Sequence, residues 1–210
     1  FYYPDRGNND YQLRITDKNG QFIKELLPVD PKSKVLHGLG QNFYVYDGKL
    51  NVFPHFSNTI FSITPDSTTQ RYHFYFGDYH FPDDEIFQKK EYNSQAIMSE
   101  IMNNSYVRLM APYETDEHLL VKYYVKRQVL LGIYNKKKHT AINLDPEMVI
   151  DSLHLGTFPV PIGFNHNEFI GQLTLDIQQK NRIMIPELQK LMADYSEDSN
   201  PILIFYSLRS

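Results

Sequence analysis

Leu13-Arg14-Ile15-Thr16, then Asp17-Lys18-Asn19-Gly20, then Gln21-Phe22-Ile23-Lys24-Glu25-Leu26 is the stretch that decides the fold. Two runs of alternating apolar and polar residues flank a cluster of Asp, Asn and Gly. Such a cluster tolerates the left-handed backbone of a tight turn, so the stretch reads as a β-hairpin. The same shape returns at Ile60-Phe61-Ser62-Ile63-Thr64, turn Pro65-Asp66-Ser67-Thr68, and Arg71-Tyr72-His73-Phe74-Tyr75-Phe76. It returns again at Val129-Leu130-Leu131-Gly132-Ile133-Tyr134, turn Asn135-Lys136-Lys137-Lys138, and Thr140-Ala141-Ile142-Asn143-Leu144. A fourth copy begins at Pro201-Ile202-Leu203-Ile204-Phe205-Tyr206-Ser207-Leu208.

Further strands precede the later copies. Asn42–Tyr46 and Lys49–Phe53 flank the turn Asp47-Gly48; Ser105–Met110 and His118–Val125 come before the third hairpin, and Glu168–Leu175 before the fourth. Two strands followed by a hairpin make a four-stranded antiparallel unit. The copies start at 13, 60, 129 and 201, so the interval runs from 47 to 72 residues. The shorter interval matches a propeller blade of about 40–50 residues. The longer ones leave room for helical insertions, expected at about 84–103 and 185–194. Pro82-Asp83-Asp84-Glu85 supplies an acidic helix start, with Ile86, Ala96, Ile97 and Ile101 as its buried positions; Leu188, Leu191 and Met192 have helical spacing.

A four-stranded sheet cannot bury both faces alone. Radial stacking of such sheets covers the faces and leaves only short edges. The expected fold is therefore all-β: a partial β-propeller of about 3.5 four-stranded antiparallel blades, forming one domain over residues 1–210. The blade segments fall at about 11–27, 42–77, 105–144 and 159–208. The last unit reads as one strand short, as ring closure by the other end of a chain would leave it. Propellers have about four to eight blades, so the arc implies residues upstream of Phe1 or a partner that completes it.

Composition agrees and narrows the function. Tyr and Phe, 16 and 14 in number, favour pleated half-buried surfaces. A net charge of −4 gives no global basic field to draw in nucleic acid. Lys136-Lys137-Lys138-His139 reads as a solvated turn. The chain has no Cys, which excludes disulfides, thiolate metal sites and Cys nucleophiles. No apolar run approaches the roughly 20 residues of a membrane-spanning helix.

Two segments carry a family resemblance. His55-Phe56-Ser57-Asn58-Thr59-Ile60-Phe61-Ser62-Ile63 resembles the "N/D-T-I-Y/F-S-I/L" blade motif of the six-bladed, NHL-like β-propeller lipoproteins of Bacteroidetes. The tail from Glu197 to Leu208 resembles their usual C-terminal strand after an acidic "D-N-P", and Tyr72–Phe81 is similar to their "Y-x-x-x-F-G-x-x-x-x-P" segment. The resemblance implies an outer-membrane lipoprotein or periplasmic protein of the cell envelope. An accessory role in outer-membrane nutrient uptake would follow, with a transporter or other envelope protein as partner and a glycan or peptide as ligand. It supplies no catalytic residues to transfer.

The search for chemistry yields little. His37-Gly38-Leu39-Gly40 lacks the third Gly of a phosphate loop and reads as a turn. No G-x-S-x-G elbow and no H-E-x-x-H occur. His73 and His80 flank an aromatic strand and converge only if the chain folds back between them. His55 and His166 precede strands and are candidates to face a central channel. Asp83, Asp84 and Glu85, Asp145-Pro146-Glu147, and Glu114-Thr115-Asp116-Glu117 read as helix-start or solvated loop acids. Phe43, Tyr44, Tyr46 and Phe53, and Tyr123 with Tyr124, read first as packing between sheets. No catalytic residue, metal site or cofactor is assigned. The sequence favours a binding or scaffold module. The alternatives are a hydrolase or lyase with a channel-mouth site built on His55 and His166, or a subunit whose arc completes another chain.

Overall fold

The computed structural model describes residues 11–28, 41–54, 57–80, 95, 99, 103–126, 128–145, 158–173, 186, 189–190 and 200–208. These form four antiparallel sheets. The first is a hairpin of β1 (Tyr11–Thr16) and β2 (Phe22–Pro28). The second runs β3 (Gln41–Tyr46), β4 (Lys49–Pro54), β5 (Thr59–Ile63) and β6 (Thr68–His73), each strand beside the next. The third repeats that meander with β7 (Arg108–Glu114), β8 (His118–Val125), β9 (Gln128–Asn135) and β10 (Thr140–Leu144). The fourth has three strands, β11 (Pro161–Phe164), β12 (Phe169–Leu173) and β13 (Ile202–Tyr206).

The turns follow from their residues. The Asp17 carboxylate accepts the N–H groups of Asn19 and Gln21, both at 2.8 Å, and so shapes the first hairpin. Arg14 and Glu25 face each other across it at 2.6 Å. Asp47, at φ 49°, closes β3 on β4. The basic run Lys136–His139 is the β9–β10 turn. Burial grades across each four-stranded meander. All but one residue of β5 is buried, and in β8 the solvent reaches only two positions, whereas β6 has no buried residue and β10 is largely exposed.

The chain divides into two compact units: Phe1–Ala111 with Tyr124–Gln128, and Pro112–Tyr123 with Val129–Ser210. In the first, Leu13 and Leu27 of the hairpin pack against Val52 and Ile63 of the second sheet. In the second, Leu120, Leu131 and Ile133 pack against Phe169 of the fourth sheet. Each buried aliphatic side chain stabilises its unit by about 1.5–3 kcal/mol. Tyr206 joins the second core: its ring lies 5.7 Å from both Phe158 and Phe169, and its hydroxyl donates to the Pro159 carbonyl at 2.7 Å. Burial, with Tyr113 nearby, pushes the Tyr206 phenol well above its usual range.

No α-helix stands among the described elements. Within the expected insertions, Gln95, Ser99 and Asn103, and Pro186, Gln189 and Lys190, have helical backbone. The expected buried positions Ile86, Ala96, Ile97, Ile101, Leu188, Leu191 and Met192 lie outside the described residues, as do Asp83, Asp84, Glu85 and His37–Gly40. No described helix is long and apolar enough to cross a membrane.

Candidate functional site

Two polar constellations stand out, one in each unit. The first grows from the end of β6. Thr59 and His73 are paired residues of β5 and β6, and the Thr59 hydroxyl lies 2.9 Å from His73 Nδ1. The Phe74 N–H then donates to the Asn58 carbonyl at 2.8 Å. A 3-10 turn over Gly77–Tyr79 reverses the chain. Gly77 sits at φ +58°, a left-handed conformation that a side chain would strain. The Tyr79 and His80 N–H groups close the turn on the carbonyls of Phe76 and Gly77, at 3.2 and 3.0 Å. Tyr79 is held in turn: its carbonyl accepts the Val107 N–H at 2.8 Å, and the Lys126 ammonium lies 4.2 Å from its ring.

The reversal brings His80 back to His73. Their ring centroids are 5.8 Å apart with a 59° tilt, and Tyr75 lies 5.4 Å from His80. The Asn58 amide nitrogen lies 3.1 Å from His80 Nε2. Two consecutive buried residues, Asn58 and Thr59, thus hold two imidazoles. His80 Nδ1 is buried and has no hydrogen-bond partner among the described residues. Such an atom costs about 1–3 kcal/mol.

The second constellation gathers the turns of the other unit. The Lys136 ammonium lies 2.6 Å from the Glu114 carboxylate and donates to the Thr115 carbonyl at 2.6 Å. The Lys136 N–H donates to the Glu117 carbonyl, and Lys137 pairs with the Glu117 side chain. That ammonium holds the Glu117 carboxyl below its usual range. Asn135 Oδ1 accepts the N–H groups of Lys137 and Lys138, at 3.0 and 2.9 Å. Its amide nitrogen is therefore the donor to His118 Nε2, at 3.1 Å. This network assigns His118 as the neutral ring with its proton on Nδ1. Burial pushes the His118 pKa down, in agreement, and outweighs the opposing pull of Glu117.

Glu114 corrects the expectation that the three acids of Glu114-Thr115-Asp116-Glu117 are solvated loop residues. It is the last residue of β7 and its side chain is fully buried, with the Lys136 charge set against it. Lys136 is correspondingly half-buried, unlike Lys137, and departs from the solvated turn expected for the basic run.

Beside these turns the β11–β12 turn forms an open depression of about 620 Å³, lined by Asn165, His166, Asn167, Glu168 and Ser207. Asn165 Oδ1 accepts the N–H groups of Asn167 and Glu168, each at 2.9 Å, and fixes the turn. The His166 carbonyl accepts the Asp116 N–H at 2.8 Å, and the His166 ring lies 3.8 Å from the Asp116 carboxylate.

The structure brings His73 and His80 together, which spacing alone left conditional. His166 stands in an exposed turn, and His55, the other member of the expected channel-mouth pair, lies outside the described residues. Tyr44, Phe53 and Tyr123 are core residues; Phe43 is partly exposed, and the Tyr46 ring carries the Arg71 guanidinium at 5.1 Å. Among the described residues no three His, Asp or Glu side chains are grouped to hold a metal. Sequence reasoning missed Asn58, Asn135 and His118 as polar anchors. The signal available was an Asn or His at a strand boundary, beside a turn it could bond.

A family model described as a domain of unknown function, DUF4934, matches residues 1–207. No curated protein matches the chain. Among solved structures, a "putative exported protein" from Bacteroides fragilis is similar with a TM-score of 0.80 at 19% identity. The match covers 99% of this chain and 61% of that one, so the chain spans about three-fifths of the length of that protein. At this identity the likeness is one of fold.

Proposed function

The chain belongs to the DUF4934 family of domains of unknown function, and we propose that it is a binding or scaffold module of the cell envelope, built as part of a β-propeller. The repeated antiparallel meanders, packed sheet on sheet within each unit, support the propeller reading. The Bacteroides fragilis neighbour, named for export, supports a place outside the cytoplasm. The resemblance to Bacteroidetes envelope propellers extends the reading to an outer-membrane lipoprotein or periplasmic protein, accessory to nutrient uptake.

The observation that carries the binding role is the depression at the β11–β12 turn. Asn167, Glu168, His166 and Ser207 line this open surface beside Asn165, whose side chain fixes the turn. Such groups suit many directional hydrogen bonds to a polar ligand, and the openness suits a chain that extends beyond the site. A glycan meets both conditions. The test is a titration of the isotopically labelled chain with mannan, starch and mucin oligosaccharides, reading backbone amide shifts. Shifts centred on Asn165–Glu168 and Ser207, lost in Asn167→Ala, are the expected result. No shift there with any of the three glycans would remove the role assigned to this surface.

A further inference from the structure

The histidine corner of the first unit is a separate matter. We propose that His73 and His80 form a two-imidazole site for a borderline divalent cation, Zn²⁺ or Cu²⁺, with water completing the coordination. The spacing of the rings suits one ion. Metal–nitrogen bonds of about 2.0–2.1 Å place the centroids of two imidazoles on one ion roughly 5–6 Å apart. His73 and His80 stand at 5.8 Å.

Each ring is also held from its far side. A metal-bound His commonly commits its other nitrogen to a neutral or anionic acceptor, which fixes the ring and its tautomer. Here Thr59 Oγ1 meets Nδ1 of His73, leaving Nε2 for a cation. The Asn58 side chain meets Nε2 of His80, leaving Nδ1. An Asn amide exchanges its oxygen and nitrogen by a half-turn, so Asn58 accepts from Nε2–H when Nδ1 carries the lone pair. Both anchors are buried and sit at the start of β5, a strand fixed on both sides. Two neighbouring residues, each engaging one nitrogen of a different ring, orient the pair as metal ligands are oriented.

His80 Nδ1, meanwhile, is buried without a hydrogen-bond partner among the described residues, and in either tautomer it lacks an answer. A cation at that nitrogen supplies one. Imidazole donors suit Zn²⁺ and Cu²⁺ rather than Mg²⁺ or Ca²⁺, which select oxygen.

The test is calorimetric titration of the whole chain with zinc chloride, and separately with copper sulfate, at neutral pH. One ion per chain is expected, with affinity weakened at least tenfold in His73→Ala and in His80→Gln. Asn58→Ala should weaken it about tenfold by releasing the His80 ring. His73 is exposed, so its variant retains the fold and keeps the test open if His80→Gln does not fold. The Cu²⁺ electron spin resonance spectrum should report two imidazole nitrogens, and one in His73→Ala. Magnesium chloride should give no heat. Absence of Zn²⁺ and Cu²⁺ binding, or binding unchanged in His73→Ala, overturns the proposal. Neither outcome touches the glycan surface, which lies in the other unit.

Discussion

At the turns of the second unit, Glu114 and Lys136, and Glu117 and Lys137, are engaged with each other. At the corner of the first, His73 and His80 each engage one ring nitrogen through a neutral neighbour. Both regions join strand ends through polar side chains, but their chemistry points in different directions. A full charge buried without its counterpart is costly, so the Glu114–Lys136 pair behaves as a clip between turns. An imidazole is neutral at little cost and carries two nitrogens, so half of its bonding capacity is left for a ligand. Satisfied polar groups hold a fold, and partly engaged ones are where a ligand can add something.

The sharpest way to break the contrast is Lys136→Met. The fully buried Glu114 carboxylate would lose the Lys136 ammonium, and the Thr115 carbonyl a donor. A loss of about 3–5 kcal/mol is expected, read by urea denaturation. A loss under about 1 kcal/mol would show that the pair is no clip.

Gly171→Ala probes the same unit through its core. A Cβ there would stand 2.8 Å from Pro159 Cβ and 2.9 Å from its carbonyl oxygen. The backbone must shift, at an expected cost of about 1–3 kcal/mol. An unchanged melting temperature would contradict this packing.

His118 gives the pH arm. Burial lowers its pKa in the folded chain, so the unfolded chain takes up that proton first. Its contribution is fully present above about pH 6.5, the ordinary imidazole value, and is lost as pH falls from there towards the folded pKa. His118→Gln should flatten the loss of stability over that window, measured by denaturation at a series of pH values. Parallel curves for both chains would refute it. The smallest effect belongs to the first unit: His73→Ala should change stability by no more than about 0.5 kcal/mol, as befits an exposed ring.

Much of the sheet architecture was readable because hairpins announce themselves locally. Asp17–Gly20 and Asp47-Gly48 carry turn residues between alternating runs, and strands end where those residues begin. β11 falls inside the blade segment expected at about 159–208, yet its own residues announce no strand. Pro159 and Pro161 look like breakers, yet Pro161 opens the strand, where its missing N–H does no harm. The site was less legible than the fold. The approach of His80 to His73 depends on a reversal at Gly77, and a single Gly in a polar segment predicts no direction. The burial of Glu114 was hidden too, since its partner Lys136 lies in a different turn, 22 positions along the chain.

The pairing of β12 with β13 has a consequence for the order of assembly. Phe169 stands opposite Tyr206, and Leu173 opposite Ile202, so the ladder joins segments separated by most of thirty residues. The β3–β4 and β9–β10 ladders close over a few residues each. Loop-closure entropy grows with the length enclosed, by about 0.6 kcal/mol per doubling. The short hairpins can form as soon as their residues are available, whereas Phe169 must wait for a distant strand before Tyr206 covers it. Folding of the second unit should therefore finish at β13. Amide exchange during refolding would record this delay as late protection at Leu203–Phe205, after β9 and β10 are already closed.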